Sequence, residues 1–128
     1  MRTIKFRAWH KKDKRMYLVT GFAWHLENLV LVSVLKDRVV NQNPEDLEIM
    51  QFTGLTDKNG KEIYEGDIVS VNYVSGERQP EEVYWCSEGA GWFLQRPEYS
   101  GWGNKMQQNY VLTYEVVGNI CENPELLK

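Results

Sequence analysis

At 128 residues, with 42% hydrophobic side chains, the chain has the size of one domain and can bury a core without metal or disulfide staples. A net charge of −3 argues against general attraction to nucleic acid, and no run approaches the roughly 20 apolar residues that span a bilayer. The N-terminus, MRTIKFRAWHKK, lacks the apolar stretch of a signal peptide, so the cytoplasm is the expected location and no membrane is expected as a partner.

Five Trp and seven Tyr favour strands over helices, and the first segment agrees. From Thr3 to Ala8 the residues alternate, with Ile4, Phe6 and Ala8 on one face and Lys5 and Arg7 on the other, a face that Trp9 continues. Lys11 to Lys14 reads as a polar turn, and Met16 to Thr20 returns as a second strand to make an N-terminal hairpin. Between Phe22 and Val40, Leu26, Leu29, Val30 and Val34 have helical spacing. The run LVLVSV is nevertheless dense in β-branched residues, which suit a pleated surface, and the segment is read as strand. Asn43-Pro44-Glu45-Asp46 has the cap residue, the proline and the acids of a helical first turn. Leu47 to Phe52 follows as a strand. Asp57-Lys58-Asn59-Gly60 then predicts a tight hairpin turn, because Asn and Gly tolerate a positive φ.

After Gly66, Val69, Val71 and Tyr73 alternate with Ser70 and Asn72 in a further strand. The polar run from Ser75 to Glu81 is expected to be an exposed loop. Val83–Cys86 and Trp92–Gln95 read as a hairpin with a longer turn, and residues 97–105 as a second loop, which carries Tyr99 and Trp102. The last strand is placed at Tyr110–Val117. Asn123-Pro124-Glu125 repeats the earlier helix-start pattern, predicting a short C-terminal turn with docked leucines. Short strands with turn signals and no βαβ alternation point to a small all-β barrel or sandwich.

Three blocks carry a family resemblance: RAWHKKDKRMY near the start, QFTGLTDKNGKEIYEGDIV in the centre and EVVGNICENPELL at the end. Together they resemble the YopX family of small phage and prophage proteins. The resemblance implies an all-β fold with an SH3-like β-barrel over residues 46–128 and an N-terminal β extension over residues 1–45 of a single domain. It also implies a phage or prophage origin in a bacterial host cell. It brings no established activity and no catalytic residues.

Sites weigh against bland alternatives throughout. Glu65 and Asp67 would share a strand face as a carboxylate pair, but an Asp in an E-G-D turn more simply accepts backbone amides. His10 and His25 lack metal spacing and read as surface or core-edge residues. Cys86 and Cys121 lack Cys-x-x-Cys spacing and are expected as free thiols. Neither a phosphate-cradling glycine loop nor a nucleophile elbow occurs, so no enzyme activity, cofactor or metal is expected. Charge is uneven: residues 1–15 hold seven basic residues and one acid, the remainder eight basic and seventeen acidic. Lys5, Arg7, Trp9, Lys11, Lys12, Lys14 and Arg15 therefore form a candidate single-stranded nucleic-acid contact, whereas a solvated face that offsets the acidic remainder is the favoured reading. Tyr99 and Trp102 are the candidate protein interface, since aromatics with a polar handle anchor protein contacts. The expected function is that of a binding or adaptor module that acts through a protein partner or self-association.

Overall fold

A computed structural model describes residues 2–72, 76, 78–98, 103–107 and 113–128. The loop aromatics Tyr99 and Trp102 lie outside the described residues. The fold is all-β, and its helical geometry includes short 3₁₀ turns at Pro44–Asp46 and Pro124–Leu127. The chain divides into two compact units, Met1–Gln51 and Phe52–Lys128.

In the first unit, β1 (Phe6–His10), β2 (Arg15–His25), β3 (Asn28–Leu35), β4 (Val39–Gln42) and the first half of β5 (Leu47–Thr56) form an antiparallel sheet in the order β4-β3-β2-β1-β5. Within residues 22–40 the run LVLVSV is extended in β3, as its β-branched content predicts, but the segment is not one strand: it holds the end of β2, a turn at Leu26 and Glu27, β3, a bend at residues 36–38 and the start of β4. Ala8, Val32, Val34 and Leu47 form the core on one face, with Tyr17, Val19, Phe22, Leu29 and Ile49 packed against them. The register explains the grouping, because cross-strand partners share a face: Ala8 opposes Tyr17 and Ile49, and Val34 opposes Val19 and Val40. At Asn43 the side chain accepts the Glu45 N–H at 3.0 Å, capping the expected helical turn. The first strand starts at Phe6 rather than Thr3.

The second unit contains the end of β5, β6 (Glu62–Tyr64), β7 (Asp67–Asn72), β8 (Arg78–Cys86), β9 (Gly91–Gln95), β10 (Asn104–Lys105) and β11 (Tyr114–Asn119). The last five pair antiparallel in the order β10-β9-β8-β7-β11, while β6 pairs with β5 through Phe52–Tyr64 and Thr56–Glu62. Ile63, Val69, Val71, Val83, Leu94, Met106 and Tyr114 make its core. The predicted hairpin turn is present. The Gly60 N–H donates to the Asp57 carbonyl at 3.0 Å, and Gly60 has φ +80°, whereas Asn59 does not adopt a positive φ.

Several expectations need correction. The SH3-like barrel is not reproduced: the strands form two antiparallel sheets that do not close into a barrel, and the second sheet ends at β10 and β11 without joining them. The run from Ser75 to Glu81 is not all loop, since Arg78 to Glu81 belong to β8. Glu81 lies opposite Val69 and is 1% exposed. Pro80 is tolerated because the β9 ladder ends at Glu82, which leaves the strand paired on one side only at that point. The last strand runs from Tyr114 through Gly118 to Asn119, with a register shift between Val116 and Gly118; residues 110–112 lie outside the described residues. In the C-terminal turn Leu127 is half-buried but Leu126 is exposed, so only one of the two leucines is covered.

Candidate interaction face

The basic hairpin comes together as one turn, but its charges are dispersed. The Lys11 ammonium lies 3.5 Å from Glu48 and donates to the Glu45 carbonyl, and Lys12 lies 3.6 Å from Asp46. Lys14, in a left-handed conformation, and Arg15 are exposed. Arg7 and Trp9 share a face of β1, whereas Lys5 lies just before the strand; all three are half-buried, and Lys5 and Arg7 each make an interaction within the chain. Within the same turn Asp13 takes a 2.8 Å bond from Lys36 and a 3.0 Å bond from the Tyr17 hydroxyl. Those bonds hold the Asp13 carboxyl below its ordinary range, and the Asp13 contact in turn raises Lys36. Tyr17 is raised, first by burial and then by its bond to Asp13. Lys36 also sits over the Tyr17 ring, 5.0 Å from its centroid.

His10 is buried, and it is fully used in holding the turn. Its Nδ1 accepts the Asp13 N–H at 3.0 Å, which leaves Nε2 to donate to the Gln42 side-chain oxygen at 2.9 Å. His25 is exposed at the end of β2. Asp67 does what the E-G-D turn predicts: its carboxylate accepts the Tyr64 N–H at 2.8 Å. The Glu82 carboxyl is raised by burial and then by the charge of Glu65. Cys86 is a buried free thiol and Cys121 a half-buried one. Among the described residues, no group of three or more His, Cys, Asp or Glu side chains is placed to hold a metal.

The surface that stands out is one that no motif announced. One cross-strand row on the face opposite the first unit's core reads Met50–Arg7–Leu18–Leu35–Val39. Met50 is 4% exposed, whereas Leu18, Leu35 and Val39 are 46%, 43% and 59% exposed. The next rows on the same face are Gly21–Ser33–Asn41 and Ala23–Leu31. From β2 outward these rows contain no charged residue. Their polar atoms largely bond to one another: the Thr20 hydroxyl donates to the Ser33 carbonyl at 3.2 Å, and the Ser33 hydroxyl donates to the Asn41 side-chain oxygen at 2.8 Å. A strand face open to water ordinarily carries polar and charged side chains, and this one is apolar and charge-free from β2 outward. Reading LVLVSVL as a strand did not separate its two faces. The signal lay in Leu31, Ser33 and Leu35, which alternate with the buried Val32 and Val34.

At the far end of the hairpin, β2 and β3 are joined through Leu26 and Glu27. Leu26 has φ +56° and is 85% exposed. A two-residue turn with positive φ at its first central position ordinarily uses Gly there. Leu in the left-handed region costs about 1 kcal/mol, so this apolar tip is held at the expense of stability.

None of the curated proteins matches this chain. Among solved structures it is similar to the crystal structure of protein EF1440 from Enterococcus faecalis, with a TM-score of 0.74 and 27% identity, covering 100% of each chain. The family model described as YopX protein matches residues 5–128. That match starts immediately before β1 and takes in the strands of both compact units, and on this extent the chain belongs to the YopX family.

Proposed function

We propose that this chain is a non-enzymatic binding module of phage or prophage origin that works in the bacterial cytoplasm through protein contacts, with the β2–β4 face as its contact surface. The observation that carries the reading is the absence of charge across the exposed rows of Leu18, Leu35 and Val39, Gly21, Ser33 and Asn41, and Ala23 and Leu31. Such a face loses little on desolvation, because its hydroxyls are already bonded, and it gains roughly 25 cal/mol for each Å² of apolar surface removed from water.

A nucleic-acid site at residues 5–15 has less support, since Lys11 and Lys12 are already matched with acids of the same unit. Two measurements separate these readings. In affinity capture from a prophage-carrying host, a protein held by the wild type and lost with Leu35→Glu supports the contact face; an unchanged set of captured proteins refutes it. In anisotropy with mixed single-stranded DNA and RNA at low salt, binding that weakens with salt and is lost on Lys11→Glu with Lys12→Glu would replace the protein reading with a nucleic-acid one.

A further inference from the structure

Resting on the contact-face reading above, we infer that the occupant of the β2–β4 face is a second copy of this chain, packed face to face through a two-fold axis. Three features of the face favour a copy of itself. The first is charge. A two-fold contact places the same patch on both sides, so any charge in it would meet its own kind or be buried unpaired. The exposed rows of β2, β3 and β4 contain none, and the nearest charges lie outside them, at Arg7 on β1 and at Asp37 and Arg38 in the turn between β3 and β4.

The second feature is polar satisfaction. The Thr20 and Ser33 hydroxyls spend their protons within the face, on the Ser33 carbonyl and the Asn41 side chain. A partner therefore need not supply acceptors for them. A heterologous partner selected for specificity would ordinarily be met by charged groups projecting from the face, and the rows contain none.

The third feature is continuity. Leu18, Leu31, Leu35 and Val39 are each 40–59% exposed and lie in adjoining rows of the same face, so a two-fold contact would cover them together. Sheets packed in this way interleave their side chains across a layer about 10 Å thick. The row Leu18–Leu35–Val39 supplies the side chains for such a layer.

The test is sedimentation or light scattering on the full chain from micromolar to 100-micromolar concentration. The wild type should run as a dimer. Val39→Glu and Leu35→Glu should each shift the equilibrium to monomer by at least about 100-fold in Kd, because the two-fold places each substitution in the contact twice. Circular dichroism at a concentration where both proteins are monomeric should show unchanged strand content, and Val39, the most exposed residue of the row, is the variant least able to disturb folding. A wild-type dimer that both variants leave intact overturns the inference, since the contact must then lie elsewhere. A wild type that is monomeric throughout also overturns it. In that case loss of a captured host or phage protein with Leu35→Glu would still uphold the face as a heterologous contact, and its retention would bring down both readings.

Discussion

Asp57 tests the structural reasoning most directly, because one carboxylate joins a hairpin turn to a strand 59 residues away. Its Oδ1 accepts the Asn59 and Lys61 N–H groups at 2.8 and 2.9 Å, and its Oδ2 accepts the Val116 N–H of β11 at 2.9 Å. The turn is further tied to β11 by the Lys58 N–H donating to the Tyr114 carbonyl at 3.0 Å and by a 3.0 Å ion pair between Lys58 and Glu115. Hydrogen bonds to a charged acceptor contribute about 1.5–3 kcal/mol each. Water can replace the acceptor for the two amides of the exposed turn, whereas the Val116 amide is in a half-buried strand. Asp57→Ala should therefore cost about 3 kcal/mol, or roughly 10 °C in Tm for a chain of this size. Asp57→Asn should cost about half as much, because its single oxygen can serve the turn or Val116 but not both.

The pH dependence of that cost follows from the same geometry. Burial works to raise the Asp57 pKa, but the amides of Val116, Lys61 and Asn59 and the Lys61 charge outweigh it and leave it lowered. With the folded value below the unfolded one, about 3.9, the carboxylate's contribution is complete above the unfolded value and fades as pH falls through the folded one. Urea unfolding of wild type and Asp57→Asn should give a constant difference between pH 7 and 5 that narrows below about pH 4, with the slope m unchanged. Equal stability at pH 7, or a difference that widens in acid, would refute the account.

Other substitutions probe separate links. Gly60→Val should destabilise by about 1–2 kcal/mol purely through its φ of +80°, since no atom lies within 4 Å of the added Cβ; an unchanged Tm would contradict this. Gly118→Ala should destabilise for the opposite reason: a Cβ there would stand 2.6 Å from the Asn123 side-chain oxygen, which accepts the Asn119 N–H, and hydrogen exchange at Asn119 should speed up. Leu26→Gly should raise stability by about 0.5–1 kcal/mol by removing left-handed strain from the β2–β3 turn, and a loss of stability would show that Leu26 packs on this chain. Lys36→Ala should move the Asp13 carboxyl back up toward its ordinary value in an NMR titration, with no shift expected if the 2.8 Å contact does not persist in solution.

Local rules decided a good part of this protein. The Asn-Pro-Glu turn at residues 43–45, the Gly60 corner, the Asp67 bond to the Tyr64 amide and the extended conformation of Asn28–Leu35 all follow from side chains within a few residues of one another, so the sequence alone announces them. The β2–β3 turn was not legible, because Leu26-Glu27 lacks the Gly or Asn that marks such turns; pairing along the flanking strands overrides the local preference. Glu81 was read as loop because polarity is a one-residue property, while its burial depends on the register of β8 against β7. The uncharged outer face was hidden for the same reason. Leu18, Leu35 and Val39 are separated along the chain and look like ordinary core residues of three strands, and only the pairing of those strands lines them up in one uncharged row on the side away from the core.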